Sequence, residues 1–248
     1  MRKVNILLMA GRGNRFKVNG FKNPKPFINI NGKHMFVNVI LNAFKPDLWI
    51  IISLKKHSEK FNIGSILKKN KIRNFKLIEL SNVPNGQAKS ALKAKKYLNN
   101  DDIITIFPCD GISYFKFLDI KKYLKKNHII VITRKPEIYN LNTPKQFGWV
   151  TSNKNLINQI YCKSKPKNIA NSSVIVGIFV FRNKKIMISS FEKMLKNKAK
   201  INNEYYIDES LKSSIILNYK LYNYQIDKFI STGTPDELKL NSEKYKWN

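Results

Sequence analysis

The apolar run Val4 to Leu8 passes through Met9 and Ala10 straight into Gly11-Arg12-Gly13-Asn14-Arg15-Phe16, and a few residues later the chain reads Pro24-Lys25-Pro26. The run is the length of a central strand. A Gly-x-Gly pair at its carboxyl end either makes a tight turn or presents bare backbone amides to phosphate oxygens. Arg15 and Lys25 add cationic groups at the same place, so the stretch suits a polyphosphate. Two common phosphate loops are excluded. Residue 16 is Phe, which removes the third glycine of the dinucleotide fingerprint, and no G-x-x-x-x-G-K-[ST] occurs in the chain.

The remaining sequence alternates strand-like and helix-like stretches, the pattern of a doubly wound α/β fold. Phe27 to Lys33 reads as a strand and turn, and Met35, Val39, Ile40 and Phe44 fall at helical spacing. Leu48 to Leu54 is a continuous apolar run, as expected of a parallel strand covered on both faces. Residues 55–71 form one amphipathic helical pattern with Phe61, Ile63, Ile66 and Leu67 inward, and Phe75 to Leu80 is the next strand. Asn85-Gly86-Gln87-Ala88 opens a helix running to Leu98. Gln87 there is either a solvated first-turn residue or a donor and acceptor for a nucleobase edge. The strand Ile103 to Phe107 ends in Pro108-Cys109-Asp110-Gly111. A carboxylate just past that strand is either part of an Asp-Gly turn or, sharing the sheet edge with the glycine loop, the favoured place for Mg²⁺ to be held against a triphosphate. Asp101 and Asp102 lie at the other end of the strand and read as a turn.

After about residue 135 the pattern changes. Residues 140–145 look like a loop, and 147–151, 156–162 and 173–182 are strand-like, with Gly177 marking a bend or a close backbone approach. Ile186 to Leu195 and Ile207 to Leu217 read as helices, and Lys220 to Ile226 as a strand. Gly233-Thr234-Pro235-Asp236-Glu237-Leu238 places Pro and acids at a helix start. The expected organisation is one domain over 1–248, with a half of about 1–134 and a half of about 135–248.

Composition narrows the setting. No run approaches the roughly 18 apolar residues of a membrane span, and no signal peptide is read at the start. Cys109 and Cys162 offer no disulfide framework, and His34, His57 and His128 have no zinc-ligand spacing. These features lead us to expect a soluble cytoplasmic protein. The formal charge of +30 raises nucleic-acid binding as a hypothesis. The lysines are spread along the whole chain, however, and it is also rich in Asn and Ile, so a compositional bias is the simpler cause. A positive field still attracts anionic small substrates.

The order of these motifs resembles the sugar-phosphate nucleotidylyltransferases, or nucleoside-diphosphate-sugar pyrophosphorylases. Met9 to Phe16 looks like the family's first motif, Pro24-Lys25-Pro26-Phe27 with Asn31-Gly32-Lys33 its second, and Gly86-Gln87-Ala88 its base-recognition motif. Asp110 falls at the metal-binding aspartate. Gly148, Lys163 and Val176-Gly177 resemble sugar-phosphate contacts, while Asn203-Glu204-Tyr205-Tyr206 and Gly233 to Leu238 match two late motifs. The resemblance covers nearly the whole chain. It implies a Rossmann-like, mostly parallel sheet of the glycosyltransferase-A type with a small acceptor-binding lobe. It also implies transfer of an NMP unit from an NTP to a sugar 1-phosphate or similar phosphorylated acceptor, with Mg²⁺ and release of pyrophosphate, in the supply of surface polysaccharide or glycan synthesis.

By the same resemblance, Arg15, Lys25 and Asp110 are the catalytic set, and Met9, Ala10, Gly11, Gly13, Gly86 and Gln87 bind the nucleotide. Gly148, Lys163, Val176, Gly177 and Glu204 bind the acceptor, and Asp110 is the metal ligand. Gln87 favours a pyrimidine. Two departures stand out. Cys162 occupies a common glutamate position, and Ser231 stands where many members carry a second metal-binding aspartate, with Asp227 the nearby substitute if the strand bends. Further expectations are no C-terminal domain after 248, no membrane partner, room for a homo-oligomer, and a nucleic acid only as a secondary partner. The alternative is a diverged, non-catalytic protein of the same fold that binds nucleotide or RNA. A related glycosyltransferase is disfavoured, because Arg15 and Lys25 suit a triphosphate better than a diphosphate donor.

Overall fold

A computed structural model of the protein describes residues 1–244. Nine strands form one mixed sheet: β1 Lys3–Leu8, β2 Leu48–Leu54, β3 Phe75–Leu80, β4 Ile103–Pro108, β5 Ile129–Arg134, β6 Gly148–Asn153, β7 Leu156–Cys162, β8 Ser172–Phe181 and β9 Leu221–Gln225. Their order is β3-β2-β1-β4-β8-β5-β9-β7-β6. Strands β3, β2, β1 and β4 are mutually parallel, as the sequence pattern led us to expect. Beyond them the sheet turns mixed, because β8 runs antiparallel between β4 and β5. β8 also pairs with β6, which joins the late strands to the early ones.

The apolar runs are continuous because both faces of the sheet are covered. Alternate residues point to opposite sides: Val4, Ile6, Ile50 and Ile52 pack in one core with Ala88, Ala91, Phe191 and Met194. Leu7, Trp49 and Ile51 pack in the other with Phe36, Val37, Leu67 and Ile120. Each layer is closed by helices, including Met35–Asn42 and Ile63–Lys69 on one side and Gln87–Leu92 and Lys184–Lys196 on the other. Among the described residues no helix is long and apolar enough to cross a membrane.

This winding creates the place for a site. From β1 the chain builds outward to β2 and β3, then returns to the other side of β1 to form β4. The connections diverge at the carboxyl ends of β1 and β4, the switch point where open α/β sheets take their ligands. The Gly11–Gly13 loop leaves β1 there, and Cys109-Asp110 leaves β4 beside it.

Several local expectations are corrected. The pattern over 55–71 is two helices, Lys55–Phe61 and Ile63–Lys69, broken at Asn62 (φ 46°), whose side chain accepts from the Ser65 amide at 3.2 Å. Asn tolerates this left-handed conformation and caps well, so the break costs little. The helix expected to run on to Leu98 stops at Leu92, and a 3₁₀ turn follows over Lys95–Tyr97. The loop expected at 140–145 is instead the short helix Ile138–Asn142 and a 3₁₀ turn over Pro144–Gln146. The glycine bend in β8 is present. Gly177 has φ 82°, the register of β8 against β5 shifts between Ile175 and Phe179, and a side chain at 177 would begin 3.4 Å from Pro108.

Candidate functional site

Two hollows adjoin at the switch point. The loop-side hollow, about 240 Å³, is lined by Met9, Ala10, Gly11, Arg12, Gly13, Gly86 and Gln87, with Glu204 across from them. The lobe-side hollow, about 200 Å³, is lined by Gly148, Lys163, Val176, Gly177 and Asp208, with Arg15 and Arg134 at its walls. Lys25, Gln87, Pro108, Asp110 and Tyr206 line both. The groups on the shared boundary therefore face anything held on either side.

Lys25 and Asp110 form the centre. The Lys25 ammonium donates to Asp110 Oδ2 and, at 3.0 Å, to the Gly233 carbonyl. Burial is the largest single influence and disfavours its charge, but Asp110, Cys109 and Glu237 together outweigh it, and the ammonium stays protonated above the ordinary lysine range. Asp110 is in turn fixed by its backbone, since the Thr232 amide and hydroxyl both donate to its carbonyl at 2.8 and 2.9 Å. A short ribbon, Gly111–Ser113 paired with Phe229–Ser231, sets Ser231 opposite Gly111 and brings the Gly233-Thr234-Pro235 turn against Asp110. Beside it, Cys109 is buried, and burial followed by the neighbouring Asp110 pushes its thiol up to about 12, so it is no nucleophile at neutral pH.

The Gly86 turn is tied to a segment far along the chain. Gly86 has φ 99° and ψ 167°, and a side chain there would begin 2.3 Å from the Tyr205 amide nitrogen. Only glycine fits. The Ala88 amide donates to the Tyr205 carbonyl at 3.1 Å, and the Tyr205 amide donates to the Asn85 carbonyl. Glu204, expected at the acceptor side, consequently lines the loop-side hollow with Gln87.

Arg15 is also placed differently from the expectation that it faces the triphosphate. It sits in the helix Asn14–Val18 and lines the lobe-side hollow, whereas Arg12 of the glycine loop lines the loop-side one. Behind the loop a further hollow of about 480 Å³ is lined by Arg12, Lys17, Lys22, Lys25, Lys56 and Lys60, a concentration of cations suited to a phosphate tail.

On the lobe side, Lys163 holds its ammonium against the Gln146 carbonyl and 5.4 Å from the centre of the Tyr206 ring. Gly148 makes room for Asp208, since a side chain at 148 would begin 2.0 Å from Asp208 Oδ2. Asp208 is buried, and burial raises its carboxyl above the ordinary value, against the opposing pull of Lys163. Cys162 is buried too, and its thiol is pushed up by burial first and then by Asp208 and Glu209. Arg134, at the end of β5, lies within 5.2 Å of the Tyr139 ring centre and 5.8 Å of that of Phe229. It pairs with Glu137 and donates to Asn140 Oδ1 at 2.9 Å.

The structure thus gathers Met9, Ala10, Gly11, Gly13, Gly86 and Gln87 in one hollow and Gly148, Lys163, Val176 and Gly177 in the next, with Lys25 and Asp110 between. Asp227 lines neither; it borders a separate hollow with Lys135 and Glu137. Arg12, Arg134, Tyr206, Asp208 and Glu237 were not singled out from the sequence. The acids at 208 and 209 were available as a helix-start signal, and Tyr206 lay inside a motif already noted.

Residues 4–244 match the nucleotidyl transferase family. The chain is 26% identical over 246 residues to the bifunctional protein GlmU of Methanocaldococcus jannaschii, covering 97% of this chain but 53% of that protein, so it spans about half the relative's length. Its fold is similar to a nucleoside-diphosphate-sugar pyrophosphorylase from Vibrio cholerae RC9, with a TM-score of 0.81, 18% identity, and 96% and 99% of the two chains covered. It is also similar to the inositol-1-phosphate CTP transferase of T. maritima, with a TM-score of 0.73, 16% identity, and 98% and 96% covered.

Proposed function

The chain belongs to the nucleotidyl transferase family, and we propose that it joins the NMP unit of an NTP to a sugar 1-phosphate or similar phosphorylated acceptor, releasing pyrophosphate. The observation that carries this reading is the pair of adjoining hollows with Lys25 and Asp110 on their common boundary. A transfer between two anionic substrates needs in-line positioning and charge neutralisation at the point where they meet. The acceptor's phosphate oxygen forms a bond to the α-phosphorus as the bond to the β-phosphate oxygen breaks, and pyrophosphate carries away the leaving charge.

Residue roles follow from position. The amides of Gly11 and Gly13 and the guanidinium of Arg12 hold the β- and γ-phosphates, with the lysines behind the loop drawing the tail outward. Lys25 neutralises charge growing at the α-phosphate, and Gln87 and Glu204 face the base and ribose. Lys163 holds the acceptor phosphate, and Arg15 reaches toward the reacting centre from the acceptor side. Asp110 has the oxygen donors and the sheet-edge position that suit Mg²⁺, which when bound would offset charge on the triphosphate oxygens. In this reading the residues before about 134, with Glu204 and Tyr206, form the nucleotide half, and most of the acceptor side comes from 135 onward. The product would serve surface polysaccharide or glycan synthesis.

The acceptor class is open to experiment, since the fold is similar to one protein named for a nucleoside-diphosphate sugar and to another named for inositol 1-phosphate. The test is Mg²⁺-dependent pyrophosphate release from each of the four NTPs against a panel of sugar 1-phosphates in both anomers, inositol phosphate and choline-type phosphates. Release with one NTP only when a phosphorylated acceptor is present is the expected result. No release with any pair would overturn the proposal.

A further inference from the structure

Position 231, where the family resemblance calls for a second metal-binding aspartate, is serine, and Asp227 lies outside both hollows. The structure supplies another carboxylate at the same place. The point where a Gly233 side chain would begin lies 3.0 Å from Asp110 Oδ2, 3.2 Å from Glu237 Oε2 and 3.5 Å from Ser231 Oγ. The two carboxylate oxygens, both so close to one point, are therefore no more than about 6 Å apart, a gap that one hydrated Mg²⁺ spans.

A side chain at 233 would crowd that cradle, whose donors are all hard oxygens, the kind Mg²⁺ takes. A cation already borders it, because the Lys25 ammonium is bound to Asp110 and to the Gly233 carbonyl. Glu237 is held in position by its own helix start, where the Thr234 hydroxyl donates to Glu237 Oε2 at 3.1 Å and the Glu237 amide donates back to Thr234 Oγ1 at 3.2 Å.

We propose that Glu237, seated beside Asp110 across the Gly233 cradle, is the second carboxylate for the divalent cation in this chain, directly or through one water, in the place of the aspartate absent at 231. The inference rests on the nucleotidyl-transfer reading above. It makes Glu237 more than a capping residue.

The test is Mn²⁺ binding to the full chain with no polyphosphate added, since free polyphosphate would itself sequester the ion, read from loss of the free-ion paramagnetic resonance signal. Glu237→Gln keeps an oxygen for the Thr234 hydroxyl and so keeps the cap. It is expected to leave the melting temperature unchanged while weakening Mn²⁺ by about 10- to 100-fold, the range seen when a supporting metal contact is lost. Ser231→Asp added to Glu237→Gln is expected to restore most of the affinity. Wild-type Mn²⁺ affinity in Glu237→Gln would overturn the role of Glu237 and leave the nucleotidyl-transfer reading standing. Absence of Mn²⁺ binding by the wild-type chain would overturn the two-carboxylate cradle as a whole, while the nucleotidyl-transfer reading is judged separately by the pyrophosphate-release panel.

Discussion

Replacing Gly86 by alanine should damage stability and nucleotide binding together, and the size of the effect follows from the turn itself. The added carbon would start 2.3 Å from the Tyr205 nitrogen and 2.5 Å from its oxygen, so backbone, not a side-chain tip, must retreat. Residue 86 also sits at φ 99° and ψ 167°, a region open to glycine alone, which costs a substituted residue about 1–3 kcal/mol. Moving Tyr205 away strains or breaks the bonds from Ala88 to Tyr205 and from Tyr205 to Asn85, each worth about 1 kcal/mol. The sum is about 3–5 kcal/mol. Gly11 provides the control, since an added carbon there meets nothing within 4 Å and Gly11→Ala should stay within about 0.5 kcal/mol of wild type. Urea unfolding of the two variants reads the difference directly. Titration with each triphosphate should show weaker binding in Gly86→Ala, because Gln87 and Glu204 are held through this contact. A Gly86→Ala protein as stable as Gly11→Ala would show that the Tyr205 backbone does not close off position 86.

Three further outcomes are expected. Lys25→Ala and Asp110→Ala should each lower turnover by about 10²–10³, the loss typical of one preorganised charge-stabilising group, while circular dichroism shows an intact fold; near wild-type pyrophosphate release in either would contradict their assignment. Arg12→Ala should raise KM for the triphosphate more than for the acceptor and Arg15→Ala the reverse, a split read from initial rates with each substrate varied; equal effects would show that the two hollows are not separate subsites. Asp208, whose carboxyl is raised by burial, binds its proton more tightly folded than unfolded, so its ionisation removes stability as pH climbs from the ordinary value of 3.8 through the shifted one. Across that window wild type should lose stability relative to Asp208→Asn, by urea unfolding at successive pH values, and parallel curves would exclude the buried charge.

What could be read from the sequence depended on range along the chain. The glycine loop, the Gly86 turn, the Gly177 bend and the carboxylate after β4 each declare themselves within a few residues, because a backbone conformation or a strand end dictates the residue type. The helix break at Asn62 was hidden inside an unbroken amphipathic pattern, since periodicity reports which face is buried and says nothing of a left-handed cap. The helix Ile138–Asn142 was equally hidden. Its start is fixed by Asn140, which accepts from the Glu137 amide at 3.0 Å and from Arg134, and those partners make no hydrophobic pattern. The apolar run Ile129 to Ile132, by contrast, has the local character of a buried strand and forms β5. Glu204 beside Gln87, Asp208 under Gly148 and Glu237 beside Asp110 depend on bringing together segments far apart along the chain, as does the position of β8 between β4 and β5. One chain carries no local trace of such pairings.

In the proposed reaction the two hollows bring a triphosphate and a phosphorylated acceptor together so that the nucleotidyl group passes from one to the other. Phosphorus-31 NMR of the complete reaction tests this most directly. With the productive pair of substrates and Mg²⁺, the expected products are pyrophosphate and one new diphosphate, its two coupled signals joining the former α-phosphate to the acceptor phosphate. Formation of NMP and pyrophosphate with the acceptor phosphate left unchanged, or no change in any signal, would contradict it.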